Sequence, residues 1–198
     1  MKNTYLLSLA LVALFIISSR ATQAAETELW RNGISIIPYP RIVEMGGDDF
    51  VFENQIDIQI DKGAIPEDMF AAEELSRQLN KEWNVECRIT EFSSGVCILL
   101  TRQGAPGKVG DQGYRIETSA GRLTIRANGT AGLFYGTQSL LQLIQKGRPG
   151  LYVKGMIITD WPDISWRFFR GAVGMLCVTR EYVKEFIRTL ASYKINML

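Results

Sequence analysis

Residues 114–143 read YRIETSAGRLTIRANGTAGLFYGTQSLLQL, and the fold turns on how this stretch is divided. Tyr114-Arg115-Ile116-Glu117 and Leu123-Thr124-Ile125-Arg126 alternate apolar and polar residues about a turn at Ala120-Gly121, the pattern of a β-hairpin. From about Thr130 to Gln145 the period becomes helical, with Phe134, Leu140, Leu141, Leu143 and Ile144 among the apolar residues. Gly132 and Gly136 lie four apart on one face of that helix, which predicts close approach of its backbone to a sheet.

On the N-terminal side the same two periods recur. Ile34-Ser35-Ile36-Ile37 and Pro38-Tyr39-Pro40 predict an extended opening segment, because proline disfavours helix in its predecessor. Ile42–Glu44, Phe50–Phe52 and Ile56–Ile60 read as strands, and the strict alternation of Ile56-Asp57-Ile58-Gln59-Ile60 predicts one buried and one wet face. Pro66 starts a helix with Glu67 and Asp68 in its first turn, where carboxylates favour the dipole. Ala72, Leu75, Leu79 and Trp83 share one face of it. Strands follow at Cys87–Thr90 and Val96–Thr101, then a glycine-rich stretch, Gly104 to Gly113, that reads as a flexible connection. The strands cluster between helices and do not alternate with them. Residues of roughly 30–150 are therefore expected to form an α+β domain, a sheet with two helices on one face.

On the C-terminal side Gly147 to Gly150, with Pro149, reads as a linker, after which the character changes. Met156–Thr159 and Phe168–Val173 read as strands, and Thr179 caps a helix from Arg180 to about Tyr193 with Val183, Phe186, Ile187 and Leu190 on one face. Ile195-Asn196-Met197-Leu198 begins a further strand. Strand, helix, strand is the βα repeat of a parallel sheet or barrel. A (β/α)8 barrel takes ~250 residues, and 39 follow Thr159, so the expectation is the first βα unit of an incomplete barrel.

Lys2, the apolar run Leu6 to Ile17 and the small residues up to Ala24 and Ala25 have the layout of a secretory signal peptide cleaved after Ala24. The run is shorter than the ~20 residues that span a bilayer. The expected organisation is a signal peptide at 1–24, an α+β domain at 25–155 and the opening of a second domain at 156–198, in an exported protein, periplasmic or extracellular, with no membrane span after cleavage. Without residues 1–24 the chain has 20 basic and 21 acidic residues, and its net charge of −1 offers no basic stripe for nucleic acid. The absence of histidine excludes a Ser-His-Asp group and any His-based metal site. Cys87, Cys97 and Cys177 match no zinc or redox spacing. Cys87 and Cys97 read as buried thiols, and export would permit a disulfide between them.

Four stretches together resemble glycoside hydrolase family 20, the β-N-acetylhexosaminidases. Ile36-Ile37-Pro38-Tyr39-Pro40 is similar to the opening motif of the domain that precedes the family's barrel, and Gly132 through Leu143 closely resembles that domain's last helix. Ile158-Thr159-Asp160-Trp161-Pro162-Asp163 is similar to the bridge into the barrel. Tyr182-Val183-Lys184 through Tyr193-Lys194-Ile195-Asn196 resembles the first barrel helix and the start of the second strand. Taken singly, each has a plain structural reading; Lys194 and Asn196, for instance, could be a solvated helix end.

The resemblance implies release of terminal β-linked N-acetylglucosamine or N-acetylgalactosamine from glycans, with no cofactor and no metal. It implies substrate-assisted hydrolysis: the acetamido oxygen attacks its own anomeric carbon, an Asp orients the acetamide, and the adjacent Glu protonates the leaving oxygen. That pair sits on a later barrel strand in the family, so no catalytic residue is assigned here and the 198 residues alone are expected to be inactive. The family's first barrel strand carries Trp-Arg-Gly, whose Arg hydrogen-bonds the terminal sugar, and a guanidinium's fork of donors suits neighbouring hydroxyls. Two candidates match: Trp166-Arg167, favoured by ungapped spacing although Phe168 replaces the glycine, and Arg170-Gly171, which keeps the pair but shortens the loop. The acidic residue and Arg-His pair that usually follow are replaced by Ala172-Val173-Gly174-Met175-Leu176-Cys177. Similar α+β domains precede barrels in family 84 β-N-acetylglucosaminidases and α-glucuronidases, and a non-catalytic secreted module is a third reading.

Overall fold

The computed structural model describes residues 27–148, 150–170 and 179–198, and the chain divides into two units, Met1–Gly33 and Ile34–Leu198. The predicted signal peptide, residues 1–24, lies outside the described residues. In the first unit the described part is one helical turn, α1 (Glu28–Arg31), capped by the Thr27 hydroxyl, which accepts from the Trp30 amide.

Among the described residues the second unit holds ten strands: β1 (Ile42–Met45), β2 (Phe50–Val51), β3 (Gln55–Ile60), β4 (Glu86–Thr90), β5 (Cys97–Thr101), β6 (Tyr114–Ser119), β7 (Arg122–Ala127), β8 (Gln145–Gly147), β9 (Gly150–Val153) and β10 (Met156–Asp160). Three α-helices accompany them among the described residues: α2 (Pro66–Trp83), α3 (Thr130–Leu143) and α4 (Arg180–Ser192). Seven strands form a mixed sheet in the order β1-β10-β6-β7-β5-β3-β4, antiparallel from β1 to β7 and parallel from β7 to β4. A small antiparallel sheet, β2-β9-β8, completes the strands.

The alternation seen in sequence is what makes the core. Register aligns Ile60, Leu100, Ile125, Ile116 and Ile158 in one row across five strands, and all five are buried. α2 and α3 pack on each other and on the sheet, which places them on one face, as the sequence predicts. α2 contributes Ala72, Leu75 and Leu79 to the core, and Asn84, in a left-handed conformation (φ 55°), ends it. The opposite face of the sheet is polar: Arg88 pairs with Asp57 at 2.9 Å, and Arg115 and Arg126 flank Glu117.

Three expectations change. The strand Met156–Thr159, assigned to the second domain, is β10, and it lies between β1 and β6 inside the first sheet. Local periodicity identifies a strand but not the sheet it joins, so a boundary after residue 155 would cut the sheet. Gly147 and Gly150, the ends of the expected linker, pair with each other in the antiparallel β8–β9 ladder; α3 stops at Leu143 because Ile144 is already extended (φ −69°, ψ 129°). The stretch Gly104–Gly113 is not a loose connection. It contains a 3₁₀ turn at Gly107–Val109 with Val109 buried, and a side chain at Gly113 would meet the Val109 carbonyl. Cys87 and Cys97, read as thiols from the sequence, are free thiols on β4 and β5, which flank β3 on opposite sides. Two strand spacings, roughly 10 Å, exceed the ~7 Å Cα separation a disulfide tolerates.

After β10, the predicted strand Phe168–Val173 is described only to Arg170. Phe168 makes one parallel bridge to Met197, and the Phe169 amide donates to the Met197 carbonyl. α4 begins at the predicted cap, where the Thr179 hydroxyl accepts from the Tyr182 amide. Among the described residues, no helix is long and apolar enough to cross a membrane.

Two predictions follow from the packing. A Cβ at Gly132 would run into the Gly113 carbonyl oxygen, a backbone atom that cannot step aside. Gly132→Ala should therefore lower the stability read from urea unfolding by about 1–3 kcal/mol. Burial pushes the Cys87 thiol up to about 11. Iodoacetamide peptide mapping near neutral pH should find Cys87 labelled slowly in the native chain and rapidly after denaturation.

Candidate functional site

Asp160 and Tyr114 are directly opposite in the antiparallel pair of β10 and β6, and they continue the apolar row of Ile158 and Ile116 with polar groups. Both are buried, at 8% and 1% exposure. A polar pair at the end of a core face needs partners. Ser139 on α3 supplies one, its hydroxyl 2.6 Å from the Tyr114 Oη, which also donates to Asp160 Oδ2 at 3.0 Å. Lys194, two residues beyond α4, supplies the other: its Nζ donates to Asp160 Oδ2 and to Tyr114 Oη, each at 2.8 Å. Lys194 is 6% exposed, so the solvated helix end read from sequence is corrected to a buried ammonium. Burial lowers its pKa and the Asp160 carboxylate raises it, with a net fall.

Beside this cluster is a cavity of about 280 Å³, lined among others by Tyr39, Arg41, Tyr135, Trp161, Asp163 and Arg167. Trp161 is held by cations: the Arg41 guanidinium lies 4.9 Å and the Lys108 ammonium 5.3 Å from its ring centroid. Arg41 also donates from Nε to the Trp161 carbonyl at 2.7 Å and pairs with Asp163. Asp160, named in the sequence only as part of the bridge motif, is the buried carboxylate of the cluster. Asp49 accepts from the Gly155 amide at 2.8 Å.

Of the two candidate arginines, the structure brings Arg167 into the cavity and leaves Arg170 exposed outside it. Arg167 lies over the Tyr135 ring at 5.3 Å. Its Nε donates to the Lys194 carbonyl at 2.7 Å, and its Nη1 donates to the Ile164 carbonyl at 2.7 Å and to Gln112 Oε1 at 2.9 Å. Its backbone amide donates to Asn196 Oδ1 at 2.8 Å. Gln112 and Tyr114 are site residues that sequence reasoning missed. The one signal was Tyr114 standing in phase with Ile116, which put its ring on the buried face and demanded a partner for its hydroxyl.

Residues 33–161 match the family model described as glycosyl hydrolase family 20, domain 2, a span that closes one residue after β10. The chain belongs to glycoside hydrolase family 20. It is 29% identical over 169 residues to a beta-N-acetylhexosaminidase of Cellulomonas fimi, covering 83% of this chain and 34% of that protein. A beta-hexosaminidase of Porphyromonas gingivalis is 27% identical over 195 residues, covering 94% and 24%. The solved beta-hexosaminidase of Streptomyces plicatus superposes with a TM-score of 0.66 at 30% identity, covering 82% of this chain and 33% of that one. The chain thus spans about a third of its curated relatives' length or less. Family 20, and not family 84 or the α-glucuronidases, is the family of this α+β domain.

Burial and the Asp160 charge hold the Tyr114 phenol well above its usual 10.0. The unfolded chain releases that proton near 10 while the folded chain keeps it, so the folded state binds more protons and stability falls as pH rises beyond 10. Urea midpoints between about pH 9 and 11 should fall less steeply in Tyr114→Phe than in the parent chain. At neutral pH the same substitution should cost about 1–3 kcal/mol, for the polar partners left unmet.

Proposed function

We propose that this chain is the N-terminal part of an exported exo-β-N-acetylhexosaminidase, comprising a signal peptide, domain two and the opening of the catalytic barrel. The observation that carries the reading is the domain-two match over residues 33–161, together with matches of 169 and 195 residues, longer than that domain, to proteins named as hexosaminidases. The parallel bridge between Phe168 and Met197 supports the barrel assignment. Two parallel partners separated by α4 have the form of a βα crossover. Leu6 to Ile17 and Ala24 support export to the periplasm or beyond.

The substrate is a glycan ending in β-linked N-acetylglucosamine or N-acetylgalactosamine. Hydrolysis is assisted by the substrate's own acetamide, and the Asp-Glu pair that polarises it and protonates the leaving group lies outside these 198 residues. Within them, Arg167 meets hydroxyls of the terminal sugar. Its spacing from Lys184 and Asn196 and its fixed guanidinium favour it over Arg170.

The test is hydrolysis of an aryl N-acetyl-β-glucosaminide by the product of the complete reading frame and by the 198-residue chain. The first should be active and the second silent, and Arg167→Met in the first should raise KM by about 10- to 100-fold, the loss of a charged hydrogen bond. Hydrolysis by the 198 residues alone would overturn the placement of the acids. No hydrolysis by either would overturn the hexosaminidase reading.

A further inference from the structure

We propose that Gln112 and Lys194 are positioning residues, through which the sheet domain sets the guanidinium of Arg167 for its sugar. The proposal rests on the reading that Arg167 meets the substrate, and it adds the means by which domain two takes part.

Arg167 lies on the segment after β10, yet two of its restraints lead back to the sheet domain. Gln112, in the loop before β6, accepts from Nη1 at 2.9 Å and donates from Nε2 to the Ser165 carbonyl at 3.0 Å. One side chain therefore fixes both the guanidinium and the backbone two residues before it. The second restraint passes through Lys194. Its ammonium is anchored on Asp160 and Tyr114, and its carbonyl accepts from Arg167 Nε at 2.7 Å.

Lys194 holds φ 61°, a left-handed conformation that costs a non-glycine residue about 1–3 kcal/mol and persists where its surroundings hold it. The buried ammonium is what holds it here. The strained turn directs the carbonyl of Lys194 at Arg167 while its amide stays on the last turn of α4, donating to Ala191 at 2.9 Å. These bonds occupy Nε and Nη1. Among the described residues no partner meets Nη2, so that edge of the fork can turn to a hydroxyl ligand.

The experiment compares Gln112→Ala and Lys194→Met, alone and combined with Arg167→Met, in the product of the complete reading frame. Each single variant should raise KM about 5- to 20-fold with kcat little changed, and should add nothing in the Arg167→Met background, because both act through that side chain. Unchanged KM in the folded variants, or an undiminished effect in the Arg167→Met background, would overturn the proposal. Gln112 is half-buried in a loop, so Gln112→Ala keeps the test open if Lys194→Met fails to fold. The 198-residue chain gives a readout that does not depend on activity: the Arg167 Nε–H resonance in a ¹H–¹⁵N spectrum. It should be protected from solvent exchange and lose that protection in both variants. Equal protection in parent and variants would overturn the positioning, whereas an inactive parent enzyme with the expected resonances would overturn only the hexosaminidase reading.

Discussion

An ammonium enters an apolar interior only with a carboxylate to meet it, and in this chain the carboxylate offered to Lys194 is Asp160. Asp160 ends the strand that completes the first sheet, and Lys194 follows the helix that comes after it. The pair therefore ties two successive pieces of the chain at one buried point. Removing either partner strands a charge, at a cost of about 3–5 kcal/mol. A hydrophobic pair of the same volume could match it in stability, but would not fix a direction. Hydrogen bonds from Lys194 to both Asp160 and Tyr114 do fix one, and the strained backbone at Lys194 turns that direction into the placement of its carbonyl.

The sheet's two halves divide the labour. From β7 to β4 the strands are parallel, α2 packs on β3 and β4 and α3 on β7, and their registers bring Ile58, Ile98 and Leu123 into one buried row. From β1 to β7 they are antiparallel, and the end of this half carries the polar groups. The cavity thus sits where the core's apolar row gives way to Asp160 and Tyr114. Rigid strands hold its floor, and the loop carrying Gln112 holds one wall.

Much of this was legible in the sequence. Ile56, Ile58 and Ile60, Leu123 and Ile125, and the helix through Gly132 and Gly136 announce their periods plainly, because burial on one face leaves an alternating or helical record. The resemblance of residues 132–143 to a known helix then led to the family. What was not legible has a common cause: it depends on partners distant in the chain. Met156–Asp160 is a strand by pattern, but nothing local says that it slots between β1 and β6. Gln145–Gly147 is too short and polar to announce a strand. Lys194 looks solvated by residue type, and only the fold shows that Tyr114, 80 positions earlier, is its neighbour. The choice between Arg167 and Arg170 rested on counting positions, and their different surroundings emerged only from the packing.

The seating of β10 beside β1 also sets an order of events during synthesis. Val43 pairs with Ile158, about 115 residues later. At roughly 5–20 residues per second, a ribosome leaves the first strand waiting on the order of ten seconds for its neighbour. Through that interval β2 also lacks β9, so the N-terminal edge of both sheets is open while the parallel half can already assemble. Whatever shields those open edges on the nascent chain, a chaperone or the charges of Glu44, Asp48 and Asp49, acts in a window that closes when β10 emerges.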